Sequence, residues 1–491
     1  MTPKQLIQGT RALKIAIISP SATLTPHFPT ELDIAQQHLD AGHSVEFFNC
    51  NGQLKNCDHN PDRSPKLCND CVGRRQMGLE LLAPKVPCHS FSGEFSSEVS
   101  IDFDCLAKLL AYKIDNFDIG FAAYSSLVSN CRDPEPDLIQ NREQLNRSLQ
   151  SAGQAYYQSL ELLSQHSFDR VYAFNGRFAA LRGVLRACQK CKVDCYLHER
   201  GCDQQHFDLF KNELLHDIQS TEQIIVDYWE SAHDRPDREA IAASWFQDRV
   251  DRVEKVWHSF VKNQEQGRLP DSWNPNRRNI GIFCSSDDEF VAIGEAWKNE
   301  IYPNQVTAIR KISQDLYELN PEIHLYLRVH PNLASVENER KASMLSLESP
   351  NLTIIAPDAE IDTYQLMRSC EKVATFGSSV GSEAIYWGTP SVLLGPCLYQ
   401  GLGGVYRAKS HQHSLDLLTQ TLQPQEKTGA LKYGFWFQTR GYPHKYYAPS
   451  GLFDGQFKGQ TIYAKPPKLS PWARLKKNTR RLLFPPFRSG K

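Results

Sequence analysis

The run Thr375-Phe376-Gly377-Ser378-Ser379-Val380-Gly381-Ser382-Glu383-Ala384 carries the chain's clearest chemical signal. An apolar stretch leads into Gly377, which permits a tight turn, and Ser378 and Ser379 then open a helix that ends near Gly388. Helix N-terminal amides joined by hydroxyls form an anion site, so Gly377, Ser378 and Ser379 are read as phosphate-binding. A serine N-cap alone explains one serine, not small residues at 377, 378, 379, 381 and 382. Glu383 lies four residues beyond Ser379, off the capping-box spacing, and is assigned to a ribose hydroxyl. A second cluster is Arg328-Val329-His330-Pro331-Asn332, where Pro331 stops a strand. His330 is thereby placed at a sheet edge, where it can donate to a phosphate oxygen or supply a proton to a leaving group.

Further clusters also sit where apolar runs end. Cys284-Ser285-Ser286-Asp287-Asp288-Glu289 offers the Ser285 and Ser286 hydroxyls to the same phosphate, although an acidic N-cap turn explains the acids equally well. Tyr196-Leu197-His198-Glu199-Arg200-Gly201 places Glu199 to deprotonate an acceptor hydroxyl as a phosphate leaves; a turn salt bridge is the plainer alternative. Asn175 and Arg177, in Asn175-Gly176-Arg177, together with Glu31 and His27, are read as acceptor-side groups.

The cysteines divide into clusters. Cys50, Cys57, Cys68 and Cys71 give C-x6-C-x10-C-x2-C within a polar stretch at about 50–73, the pattern of a loop stapled by structural zinc. Free thiols and an iron–sulfur cluster are the alternatives. Cys188, Cys191, Cys195 and Cys202 read as small buried hydrophobes.

His330-Pro331 and Ser378-Ser379, at this separation, resemble the His-Pro and Ser-Ser motifs of bacterial glycosyltransferases that include sialyltransferases and capsular Kdo transferases. The segment from Lys372 to Gly395 also resembles the nucleotide-binding end of capsule-polysaccharide biosynthesis proteins. The resemblance implies a GT-B fold and a CMP-, UDP- or CDP-linked sugar donor. It also implies a polysaccharide or glycolipid acceptor and metal-independent catalysis. In that group two acids followed by Gly carry the base; Glu199-Arg200-Gly201 has Arg for the second acid. Related GT-B members include UDP-sugar 2-epimerases and CDP-glycerol glycerophosphotransferases. A zinc-stapled, membrane-associated adaptor is the non-enzymatic alternative.

These clusters need elements to hold them. Strand–helix alternation predicts α/β architecture, GT-B-like, with two Rossmann-like domains facing a cleft. The first spans 1–202, a helical connector 203–275, the second domain 276–425, and a C-terminal extension 426–491. Strands are expected at Leu13–Ser19, Ser44–Phe48, Asp118–Ala123, Arg170–Phe174 and Val193–His198, and helices include Phe290–Trp297. The chain's 491 residues suit two domains. A net charge of −1 argues against nucleic acid as a partner. The apolar stretch Ile15–Ile18 is too short for a signal peptide, so a cytoplasmic location is expected. From Lys465 to Lys491 there are nine basic residues and no acid, interleaved with Trp472, Leu475, Leu482, Leu483 and Phe484. Such a tail suits peripheral contact with the anionic inner face of the plasma membrane.

Overall fold

The computed structural model of the chain describes residues 11–91 and 105–462. The first half contributes strands β1 (Lys14–Ser19), β2 (Ser44–Asn49), β3 (Cys88–Ser90), β4 (Arg170–Phe174), β5 (Asp194–Arg200) and β6 (His206–Lys211). The second contributes β7 (Arg278–Phe283), β8 (Ile323–Arg328), β9 (Leu352–Ile355), β10 (Lys372–Thr375), β11 (Ser391–Leu393) and β12 (Val405–Arg407). Then come β13 (Tyr442–Pro443) and the hairpin β14 (Tyr447–Gly451) and β15 (Asp454–Phe457). The second sheet is ordered β12-β11-β10-β7-β8-β9 with every neighbour parallel. That is the doubly wound Rossmann order, which reverses between β7 and β10. The first sheet, β13-β6-β5-β4-β1-β2-β3, repeats it, with antiparallel β6 and β13 added at one edge. Its reversal falls between β1 and β4. Side chains beyond β1, β4, β7 and β10 are therefore the ones that meet ligands in such sheets.

The structure differs from the sequence-based expectation at four places. Asp118–Ala123, expected as a strand, opens the helix Ile119–Cys131. Its residues 119–128 are all buried, and an unbroken apolar run carries no period by which strand and helix can be told apart. The connector begins with strand β6, and the helices Ile218–Ser231 and Arg238–Val250 follow. Leu209 and Phe210, read as helical, belong to that strand, which pairs with β5. Phe290–Trp297 forms two single turns, Asp287–Glu289 and Glu295–Trp297, rather than one helix. Ala292, Ile293 and Trp297 instead enter the hydrophobic core of the first half. The C-terminal extension likewise returns to the first half. Asp33, fully buried, accepts the backbone N–H groups of Lys445, Tyr446 and Tyr447 at 2.7–3.0 Å.

The two halves are joined across the cleft by charge. Arg132 pairs with Asp288 at 2.7 Å and Arg340 with Glu135 at 3.2 Å. Arg182, buried and held by Asp118, donates to the carbonyl of Ile293 at 2.9 Å. Among the described residues, no helix is long and apolar enough to cross a membrane. The basic tail lies outside the described residues.

Buried histidines make this fold acid-sensitive. Burial lowers His38 and His444 from the usual 6.5 to about 3, and His59, His216 and His330 to about 4. The unfolded chain binds a proton on each near 6.5, whereas the folded chain does not. Their stabilisation is thus fully present above that value and is lost as pH falls toward 4 and then 3. Each contributes up to about 1.4 kcal/mol per pH unit inside its window. Melting temperatures are expected to fall steeply between about pH 7 and about pH 5, and less steeply in His38→Gln. A melting temperature unchanged over that range would contradict the neutral histidines.

Candidate active site

The second-sheet side of the cleft is built on the turn after β10. Gly377 has φ 120°, and a Cβ there would stand 2.7 Å from the Pro396 carbonyl, so the turn requires glycine. The helix Val380–Trp387 follows and stops at Gly388, whose φ is 84°. Ser378 is 9% exposed; its hydroxyl oxygen accepts from the Val380 N–H at 3.4 Å, which leaves its O–H to be donated. Tyr399 fixes the turn from behind by donating to the Ser378 carbonyl at 2.6 Å.

Ser379 and Glu383 behave differently from the expectation. The Ser379 hydroxyl donates to Glu383 Oε1 at 2.9 Å and accepts from Arg249 Nη2 at 3.0 Å. Arg249 Nε also pairs with Glu383 Oε1 at 3.0 Å, and Tyr364 donates to Oε2 at 2.7 Å. Glu383 is 1% exposed, so it does not contact a ribose: its carboxylate is spent on holding Arg249. Arg249, at the end of the helix Arg238–Val250, keeps 38% of its side chain exposed beside Ser379. Nothing in the sequence singled it out, because a basic residue in a helix's last turn also serves the helix dipole.

His330 leaves the end of β8 just before a single turn, Pro331–Leu333. Its Nδ1 accepts the Asn332 backbone N–H at 3.1 Å, which fixes the proton of the neutral ring on Nε2. Burial drives its pKa to about 4, against Asp288 and with help from Arg328, Arg249 and Arg132. At neutral pH the ring is therefore a neutral N–H donor. Ser285 and Ser286, expected to face phosphate, donate instead to Asp287 at 2.9 Å and Asp288 at 3.0 Å. Those acids in turn pair with Arg340 and Arg132, so the loop is a brace between the halves.

Across the cleft, Glu199 sits at the end of β5. Asn175 Nδ2 donates to its Oε2 at 2.9 Å, the Arg200 N–H donates to Oε1 at 3.0 Å, and His27 Nε2 lies 3.9 Å away. Asn175, with φ 55°, thus orients the carboxylate rather than binding an acceptor itself. Arg177 reaches over to the Glu289 carbonyl. Burial lowers its pKa, opposed by Glu289 and Asp288 of the second half and by Asp58 and Glu199 of the first. Arg177 thus lies in the field of acids from both halves. Glu31, by contrast, is 2% exposed and pairs with fully buried His198 at 3.2 Å, so it lies beneath the site and out of an acceptor's reach. Burial also keeps His27 neutral, aided by His198, Arg200 and His59.

The cysteine segment contributes other residues than expected. Residues 65–80 form a helix, so Cys68 and Cys71 stand one turn apart and not in a knuckle. Cys68 accepts from Asn60 and Cys71 from the Ala22 N–H. Among the described residues, no three of the sulfurs of Cys50, Cys57, Cys68 and Cys71 lie within 4.8 Å of one another; only Cys202, Asp203 and His206 bring three ligating atoms that close. The segment instead brings Asp58 and His59 to the cleft. Burial raises the Asp58 carboxyl, against the Ser126 hydroxyl and Arg177, and burial lowers His59 to about 4. Cys188 and Cys195 are fully buried, as expected of small hydrophobes, whereas Cys191 and Cys202 are only half-buried. A cavity of 720 Å³ between the halves opens on Ser285 and Gly377 and is lined further by Arg182, Trp297 and Arg340.

Two Rossmann-like sheets whose ligand-facing ends share one cleft define a GT-B-like protein. Residues 285–423, which contain both His330-Pro331 and Ser378-Ser379, match the family model described as "Capsule polysaccharide biosynthesis protein". The chain is similar to the KpsC β-Kdo 2,4 transferase of Thermosulfurimonas dismutans, at 12% identity and TM-score 0.36, over 55% of this chain and 80% of that one. The UDP-GlcNAc 2-epimerase of Methanocaldococcus jannaschii is similar at 10% identity and TM-score 0.26, over 86% and 98%. The glycosyltransferase SnogD of Streptomyces nogalater is similar at 12% identity and TM-score 0.24, over 87% and 95%. No curated protein sequence matches the chain.

Proposed function

We propose that the protein is a glycosyltransferase of capsule or other cell-surface polysaccharide assembly, taking its sugar from a nucleotide donor. The observation that carries this reading is the grouping of three donors: the Ser378 hydroxyl, Arg249, which donates to the adjacent Ser379, and His330, which lies within the field of Arg249. Ser378 sits beyond β10 at the switch of the second sheet, and His330 beyond β8, two strands away. The match of residues 285–423 to a capsule-biosynthesis family model supports the same direction.

In this reading the donor phosphate rests on His330, Ser378 and the first amides of the helix Val380–Trp387, with Arg249 matching its charge. The cavity of 720 Å³ that begins at Gly377 has the volume for the rest of the nucleotide. Glu199, oriented by Asn175, takes the proton of the acceptor hydroxyl in an inverting reaction. That oxygen attacks the anomeric carbon, and the carbon–oxygen bond to phosphate breaks with its electron pair leaving on phosphate. His330, Ser378 and Arg249 stabilise the charge that develops there. The basic tail, read from sequence alone, would hold the enzyme against an anionic membrane surface.

CMP-, UDP- and CDP-linked donors compared by thermal shift test the reading, because a bound ligand raises the melting temperature. Product analysis of the stabilising donor separates sugar transfer from epimerisation and from glycerophosphate transfer. Ser378→Ala is expected to weaken donor binding about tenfold, the value of one hydrogen bond to a charged group. Unchanged donor binding in Ser378→Ala would sink the phosphate assignment.

A further inference from the structure

Three exposed aromatic side chains, Trp257, Phe453 and Phe260, have no use in the steps above. Trp257 and Phe453 are large apolar side chains that remain 48% and 42% exposed, with their rings 5.4 Å apart and nearly perpendicular. They come from distant places in the chain: Trp257 from the segment that links the two halves, Phe453 from the turn between β14 and β15. Arg200 unites them. Its guanidinium lies 5.3 Å from the Trp257 ring and 5.1 Å from the Phe453 ring, and it donates to the carbonyls of Val256 at 2.9 Å and Thr25 at 3.3 Å. Arg200 directly follows Glu199. At the other end of the same segment, Phe260 is 40% exposed and its ring lies 5.3 Å from that of His330. The short segment from Trp257 to Phe260 thus touches Arg200, the chain neighbour of Glu199, at one end and His330 at the other.

Exposed rings held in place by a buried-side guanidinium cost solvation and contribute little to a core. A pyranose offers such rings a flat face of C–H groups, while its hydroxyls stay in water, so the pair suits a ligand that is apolar on one side only. We propose that Trp257 and Phe453, set by Arg200, form a stacking subsite for a sugar of the acceptor chain, one or more units back from the attacking hydroxyl. The assignment rests on the glycosyltransferase reading for its position in the cleft and on the exposed rings for its ligand. Continuity with Glu199 and His330 distinguishes a growing glycan from the other occupants such rings attract, a lipid surface or a second copy of the chain.

The test uses the full chain and the double variant W257A/F453A, with W257F as the conservative control. Both rings are on the surface, so the melting temperature and the thermal shift produced by the nucleotide-sugar are expected to stay those of the wild type. The KM for acceptor is expected to rise about tenfold per ring removed, with a smaller change in kcat, and W257F is expected to restore most of it. An acceptor KM unchanged in the double variant overturns the subsite while leaving the transferase reading intact. Should no nucleotide-sugar bind the wild type, that reading fails, and the subsite is tested directly. Calorimetric titration with a panel of defined pyranose oligosaccharides, neutral and carboxylate-bearing, is expected to show binding that W257A/F453A loses. Absence of binding overturns the subsite, as does equal binding by the variant. So would loss in the variant only of binding to phosphatidylcholine–phosphatidylglycerol vesicles, or only of self-association.

Discussion

His330→Ala is expected to lower the rate of sugar transfer by about 10²–10³-fold, the usual effect of removing one preorganised donor from a developing oxyanion. The loss should fall on kcat more than on donor affinity, because charge accumulates on the phosphate oxygen as the glycosidic carbon departs. His330→Gln, which places an amide N–H near the position of Nε2, is expected to recover part of the rate. The pH profile gives a second readout. With Nδ1 occupied by the Asn332 N–H and a pKa of about 4 in the free protein, the ring donates as neutral imidazole. Activity should therefore show no loss on raising pH through the ordinary histidine range near 6.5, as it would if an imidazolium were required. A rate in His330→Ala within a few fold of the wild type would remove the residue from the mechanism.

Arg249→Ala is expected to affect stability and donor binding together. Glu383 is 1% exposed and would keep only Tyr364 and Ser379 as partners for its charge. Breaking a buried ion pair costs about 3–5 kcal/mol, and the lower end applies here because Arg249 is itself 38% exposed. Donor affinity should fall about tenfold or more as a cation leaves the phosphate side of the cleft. Adding Glu383→Gln separates the two effects. R249A/E383Q has no buried carboxylate left uncompensated, so stability should return toward that of the wild type while donor binding stays weak. If donor binding returned along with stability, Arg249 would be a structural partner of Glu383 and not a phosphate ligand. Equilibrium denaturation and donor thermal shift on the two variants measure both quantities.

The contrast between His330 and Glu383 shows what kind of inference a linear chain permits. The positions of His330, Gly377 and Ser378 at strand ends were legible because local rules place them: a proline after a strand, a glycine with small neighbours, and a helix beginning at once. Glu199 was legible for the same reason, at the end of a strand whose pattern is clear. Glu383 and Ser379 were assigned to ligand because their sequence neighbourhood contains no partner. Their partner, Arg249, arrives from 134 and 130 positions away by sequence number, on a helix whose pattern reads as an ordinary connector. Glu31 failed in the opposite sense: the first residue of its helix, His27, does approach Glu199, but one turn on the buried Glu31 faces His198. Asp58 and His59 were overshadowed by the cysteines around them, whose spacing suggested a metal site.

Short-range patterns in the chain were enough to set the alternation of strands and helices, the two α/β halves, and the turns at strand ends. These follow from hydrophobic period and from the backbone freedom of Gly and Pro, which act over a few residues. Only the tertiary structure decided which polar groups at those turns are free and which are consumed. Arg249 takes Glu383, Asp287 and Asp288 take Ser285 and Ser286, and Arg200 gathers Trp257 from the connector and Phe453 from the C-terminal extension. A buried or partly buried polar group must find a partner, and in a folded chain that partner is chosen by proximity in space, which local sequence does not encode.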